Sequence, residues 1–320
     1  MQKISKKSLK FILAWALTIA IIVLLFSRID YREVWGELKT LNRGLFLLTI
    51  GISVFGNLYL SCQKYRRLLQ LLGCDISLKE AILIKVGTIP IKNLLPAKSG
   101  EVVRAVYLKH RHDFSYIKGG SSIFFGMGLS FIVLVFFILL TGFFYNEDIK
   151  EQYYYGLPML GGLIVGAILL RKGVLPETTH SWLAKRNGRI AAAIRDITAV
   201  SHERRYKRRM VALFGYTVGF EGAKVINYML LFVACGITIP PNAALFFIPM
   251  IIMISSLPIT VFGLGTRESA IVAFFGNYAQ PAQLLSAGIA ISIVESIVPL
   301  ILGLCLMKPF LARLMDAGEG

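Results

Sequence analysis

Charged residues set inside apolar stretches are the features of this sequence most able to do chemistry. Glu101 and Arg104 stand three positions apart, Arg267 and Glu268 are adjacent, Glu221 and Lys224 are again three apart, and Glu295 sits within an apolar run near the C-terminus. A charge at the centre of a membrane helix costs about 2.5–3.5 kcal/mol even on the most lenient scale, so each one needs a partner or a task. A spacing of three puts both members of a pair on one helix face. Arginine offers paired N–H donors that fork onto phosphate oxygens, and neighbouring carboxylates can hold such cations in place or exchange protons. Gly100, Gly263 and Gly265 would let backbone amides approach the same anion, and a helix N-terminus following a chain break favours negative charge. These residue types point to recognition of an anionic, phosphate-bearing group. The plain alternative is a set of internal salt bridges, and for Glu295 structural bonding is the reading adopted.

The elements that carry these residues follow from composition. Of 320 residues, 56% are apolar and 17% charged, with a mean hydropathy of +0.66. A soluble domain has about 45–50% apolar and about 25% charged residues, so the chain reads as an all-α polytopic membrane protein. Six apolar stretches reach spanning length, which is about 17–25 residues. They cover 11–27, 44–61, 119–145, 153–170, 211–235 and 283–307. Two further apolar regions are interrupted: Ala81–Pro96 contains Lys85, Pro90 and Lys92, and Ala243–Phe275 contains Pro249, Pro258, Gly263 and Gly265. Proline and glycine break the helical ladder, and such backbone is tolerated at membrane depth only under cover of protein or water. Both regions read as re-entrant or broken helical hairpins, with Pro90, Pro96 and Pro258 shaping the breaks.

The net charge of +17 tests this topology. With both termini in the cytoplasm, most of the 35 Lys and Arg fall on the cytoplasmic side, in the N-terminal segment, between Lys64 and Lys118, and in the basic segment 171–209. That asymmetry is the positive-inside pattern and places the chain in the cell membrane, and it accounts for the charge without nucleic acid. The order span, span, hairpin, span then occurs twice in opposite orientation, in halves 1–150 and 151–320. Such an inverted repeat is the plan of many secondary transporters. Leu183, Ile190, Ile194 and Ile197 give segment 171–209 one apolar face beside its arginines, the pattern of an interfacial helix, although an ordinary basic loop explains it equally well. Cys62, Cys74, Cys235 and Cys305 form no close pair, and His110 and His112 do not share a helix face. Neither a metal nor a cofactor is expected.

Two motifs in the hairpins resemble a known family. Asn93-Leu94-Leu95-Pro96-Ala97-Lys98-Ser99-Gly100-Glu101-Val102-Val103-Arg104 resembles the first signature of the lysylphosphatidylglycerol synthase transmembrane-domain, or flippase-like, family. Leu257-Pro258-Ile259-Thr260-Val261-Phe262-Gly263-Leu264-Gly265-Thr266-Arg267-Glu268 resembles the second. Ala97 stands where the family more often has glycine. The resemblance implies a membrane-embedded lipid translocator, with Asn93 and the Gly-Glu-x-x-Arg and Gly-x-Gly-x-Arg-Glu residues at its substrate site. In founding members this domain precedes an aminoacyl-transferase; the present sequence stops about a dozen residues after its last span, so a stand-alone member moving another lipid is expected.

The resulting expectation is a flippase for a phospholipid or a polyprenyl-phosphate-linked lipid, with anionic headgroups as ligands and no catalytic residues. The substrate site would comprise Arg267, Glu268, Glu101, Arg104, Gly100, Gly263, Gly265, Glu221, Lys224 and Asn93. Two alternatives are a lipid-headgroup-modifying membrane enzyme using Glu101 and Glu268 as acid and base, and an ion-coupled solute transporter. Oligomeric state is left open, a homodimer being compatible.

Overall fold

Apolar runs free of breakers become long helices in the computed structural model, and runs containing them become short broken pairs. The structure describes residues 31–94, 101–141, 204–256, 260 and 263–316, all of whose regular elements are helical. The expected spans 11–27 and 153–170 lie outside the described residues, as do Pro96, Gly100, Pro258, the Asn93 side chain and segment 171–209 up to residue 203. Among the described residues, four helices are long and apolar enough to cross a membrane: α2 (Arg43–Leu71), α6 (Tyr116–Thr141), α7 (Arg204–Ala234) and α10 (Pro281–Met315). Their outer faces expose Leu47, Leu48, Phe124, Val211, Ile226 and Ile301, among others. Apolar surface on this scale is a liability in water and none in lipid. The chain is a multi-pass helical membrane protein.

The remaining helices are α1 (Tyr31–Thr40), α3 (Leu78–Gly87), α4 (Ile89–Leu94), α5 (Val102–His112), α8 (Pro241–Ser256) and α9 (Thr266–Phe275). The sequence between Arg28 and Arg43 reads as an outer connection, yet it contains α1, because Val34 and Leu38 form an apolar stripe that packs on Ala282, Leu285 and Ile289 of α10. The run 44–61 extends to Leu71, because Tyr65, Leu68 and Leu69 continue its buried face while Arg66 bonds the Ile76 carbonyl at 2.9 Å. Each of α2 and α10 contains one π-turn, at Gly56–Leu60 and Ile293–Ile297. The second of these turns lies against α2, where the Ser53 hydroxyl donates to the Val294 carbonyl at 2.9 Å.

The first hairpin is built by local chemistry. Ser77 caps α3 by accepting from the Glu80 amide at 3.2 Å, an S-x-x-E start. The helix stops at Thr88 because Pro90 has no N–H to continue the ladder. α4 follows, and α5 starts after Glu101 and ends at Asp113, whose φ is +48°. The hairpin fits against α10 because two glycines permit backbone approach. A Cβ on Gly303 would stand 2.7 Å from Pro90 Cδ, and one on Gly87 would stand 2.9 Å from Phe310 Cβ.

The second hairpin, α8–α9, packs α8 on α6 and α9 on α10. Gly263 and Gly265 have φ of +74° and +81° in the tight entry to α9, a region costly for other residues. Among the described residues the two larger apolar cores are one that joins α6, α7, α8, α9 and the first half of α10, and one that joins α3, α5, the second half of α2 and the end of α10.

Candidate anion-binding cavity

A cavity of about 190 Å³ opens between α2, α3, α5, α6 and α7. Glu101, Arg104, Glu221 and Lys224, four of the residues singled out by sequence, line it. So do Lys64, Lys85 and Lys92, which sequence reasoning assigns to the cytoplasmic charge bias. Lys64 lies within α2 and is only 7% exposed, because α2 runs ten residues beyond the expected span end.

On one wall Glu221 organises two lysines. Its Oε2 accepts from Lys224 Nζ at 2.7 Å, and its Oε1 lies 3.8 Å from Lys64 Nζ. Ser130 bridges the longer contact, accepting from Lys64 and donating to Glu221, each at 2.5 Å. The Phe220 ring faces both cations, with Lys224 Nζ 4.5 Å from its centroid. On the opposite wall Glu101 Oε1 stands 3.1 Å from Lys92 Nζ and 3.8 Å from Arg104. Arg104 also donates from Nε to the Thr88 hydroxyl at 2.8 Å and from Nη2 to the Lys85 carbonyl at 3.4 Å. It therefore ties α5 to the break after α3 while lining the cavity. Burial alone would raise the Glu101 carboxyl, but Arg104, Lys92 and Lys85 outweigh it and hold it down at about 2. Burial, reinforced by Arg104, pushes the Lys85 ammonium down to about 7. Lys85 and Arg104 both lie beside the Tyr65 ring, at 5.7 and 5.9 Å from its centroid, and the buried Tyr65 hydroxyl has no hydrogen-bond partner.

Arg267 and Glu268 do not line this cavity. They form a second polar cluster with α7 and α10. Glu268 Oε2 accepts from the Gly265 amide at 2.6 Å, capping the helix on which it sits. Its Oε1 accepts from the Ser292 hydroxyl, which in turn accepts from Arg267 Nη1 at 2.8 Å. Ser296 and Tyr228 complete the guanidinium's surroundings. Glu295 lies in the π-turn of α10 and accepts from Asn227 Nδ2 at 3.1 Å. Gly263 and Gly265 shape the entry to this second cluster, where Thr266 donates to the Gly263 carbonyl at 3.0 Å. Among the described residues, Arg104 lines this cavity, whereas Arg267 donates to the hydroxyls of Ser292 and Ser296. Pro90 shapes the cavity side, where it ends α3 against α10.

Lys64 and Lys85 carried a signal that could have found them. Each follows or interrupts an apolar run, and a lysine inside such a run needs a partner. Ser130 carried none, being one hydroxyl among many in α6. Among the described residues no group of His, Cys, Asp and Glu is arranged to hold a metal.

Helices of membrane length around a charged interior define the class: a polytopic membrane protein with a polar cavity between its helices. The family model of the lysylphosphatidylglycerol synthase TM region matches residues 11–303, and the chain belongs to that family. No curated protein matches the chain.

Proposed function

We propose that the chain is a lipid translocase that moves a phosphate-bearing lipid across the cell membrane by admitting its headgroup to the cavity. One observation carries the reading: five cations and two carboxylates line a hollow among helices whose outer faces are apolar. Such charge at membrane depth costs several kcal/mol unless it serves a polar ligand or is fully paired, and here cations outnumber acids. Family membership supports a role in lipid metabolism or translocation. The ligand is a membrane lipid with an anionic headgroup, and the process changes the sidedness of the lipid without altering its covalent structure.

Reciprocal packing supports two halves of opposite orientation. The first hairpin's α3 packs on α10, the last span of the second half, while the second hairpin's α8 packs on α6, the last span of the first half. Each hairpin's second helix lies on its own half's last span, with Gly119 meeting Ala105 and Gly288 meeting Glu268. In this arrangement both termini are cytoplasmic and the hairpins enter the bilayer from opposite sides.

Reconstitution tests the reading. Vesicles containing the pure protein and a panel of head-labelled lipids should show protein-dependent loss of sidedness for an anionic lipid, with lipid mass unchanged. Moving one negative charge out of an inside-negative cell gains about 2.3 kcal/mol per 100 mV, so dissipating the potential should slow its export. A change in lipid mass, or no protein-dependent change in sidedness for any lipid, rejects translocation.

A further inference from the structure

We propose that the cavity selects a phosphoryl group carrying two or more negative charges, a phosphomonoester or pyrophosphate, over the singly charged phosphodiester of an ordinary phospholipid. The proposal rests on the headgroup reading of the preceding subsection and narrows it.

The charge balance carries it. Glu221 neutralises one of Lys64 and Lys224, and Glu101 neutralises one of Lys92 and Arg104. Lys85 has no carboxylate within ion-pairing distance among the described residues. The described lining, five cations against two acids, therefore holds a surplus of three positive charges when all five are protonated. Enclosed charge left uncompensated is expensive, so the best ligand is the one that cancels most of it. A phosphodiester supplies one negative charge and leaves two cations unbalanced. A phosphomonoester carries close to −2 at pH 7 with three acceptor oxygens, and a pyrophosphate carries more of both. A headgroup with net positive charge, such as an aminoacyl ester of a phospholipid, meets the surplus with the same sign.

The donors fit the same ligand. Lysine ammoniums approach from both walls as separate point charges, an arrangement suited to oxygens spread over a terminal phosphoryl group. The buried Tyr65 hydroxyl lines the cavity without a partner, so a donor is present with nothing yet to receive it. A volume of about 190 Å³ is enough for a phosphoryl or pyrophosphoryl group. Lys85 is the residue that sets the preference, because it is the lining cation with no carboxylate within ion-pairing distance among the described residues.

The test measures binding by the 320-residue chain in phosphatidylcholine nanodiscs to four probes: farnesyl phosphate, farnesyl pyrophosphate, dioleoyl-phosphatidylglycerol and inorganic pyrophosphate. Both farnesyl probes are expected to bind at least about tenfold tighter than the phosphatidylglycerol, and Lys85→Met should shrink that advantage to about threefold or less. If Lys85→Met does not fold, the ranking of probes by the native chain decides alone. Phosphatidylglycerol binding as tightly as the farnesyl probes overturns the proposal, as does an advantage that survives Lys85→Met undiminished. Inorganic pyrophosphate binding as well as farnesyl pyrophosphate upholds the charge preference and identifies the source as a soluble anion. Much weaker inorganic pyrophosphate upholds it with a lipid as the source. Absence of lipid movement with the ranking intact removes translocation alone, and movement with the ranking reversed removes the charge preference alone.

Discussion

Arg104 and Arg267 are the same side chain in similar motifs, each within a hairpin and each nearly out of reach of solvent, at 4% and 6% exposure. Their surroundings differ. Arg104 stands among four lysines and two acids beside a cavity, with a surplus of positive charge around it. Arg267 donates to Ser292 and Ser296 and lies near Glu268, Tyr228 and Glu295, so among the described residues no cationic surplus surrounds it, although its buried Nε has no hydrogen-bond partner. A buried charge whose partners come from its own chain holds structure together. A buried charge in excess of its partners leaves something for a ligand to do. Position inside an apolar run does not separate the two cases; the local balance of charge does.

The strongest test of this contrast is Arg267→Ala. Read from the motif alone, the change abolishes lipid movement and leaves the fold intact. Its observed surroundings lead to another expectation: with Glu268 and Ser292 left unmatched in the interior, stability should fall by about 3–5 kcal/mol, seen as an early thermal transition in detergent. A variant that melts like the parent but moves no lipid would return Arg267 to the ligand site and break the contrast.

A smaller effect should sharpen it from the cavity side. Gly303→Val places a side chain where even a Cβ meets Pro90 Cδ at 2.7 Å, and should cost about 1–3 kcal/mol while displacing the hairpin that carries Lys85. Anion affinity should fall further than that loss of stability explains. Equal affinity in the variant would mean that the hairpin's seat on α10 does not position the cavity.

The smallest expected effect is on pH. Lys85, held down at about 7 by burial, is charged below that pH and neutral above it. Binding of an anion whose own charge is constant in this range, such as phosphatidylglycerol, should therefore weaken several-fold between pH 6 and pH 8, and the step should shrink in Lys85→Met. Affinity that is flat across this range would assign the surplus to the other cations.

Much of this arrangement was legible in the residues. The four described spans follow from unbroken apolar runs, and the hairpin breaks follow from Pro90 and from Gly263 and Gly265. Glu101, Arg104, Glu221 and Lys224 stood out because a charge among apolar neighbours is conspicuous. Lys64, Lys85 and Lys92 did not, because a lysine near the end of an apolar run looks the same whether it lies in a basic loop or faces a cavity. Only the extension of α2 to Leu71 and the packing of α3 on α10 distinguish the two. That Arg104 and not Arg267 lines the described cavity was likewise hidden, since it depends on which helices meet across long stretches of chain. α1 was missed because two apolar residues at i and i+4 in a polar decapeptide are a weak signal without the surface of α10 to receive them.

The π-turns in α2 and α10 bear on how these helices can change by insertion or deletion. Each turn accommodates one residue more than an α-turn would, and one residue corresponds to about 100° of azimuth. Removing a single residue from Ile293–Ile297 would therefore swing everything downstream by more than a quarter of a revolution. Gly303 would leave its groove, and Ile301 and Leu304 would rotate from the oily exterior toward the interior. A wheel drawn at constant pitch through either helix assigns half of its length to the wrong side, so these two short stretches set the phase of the whole assembly.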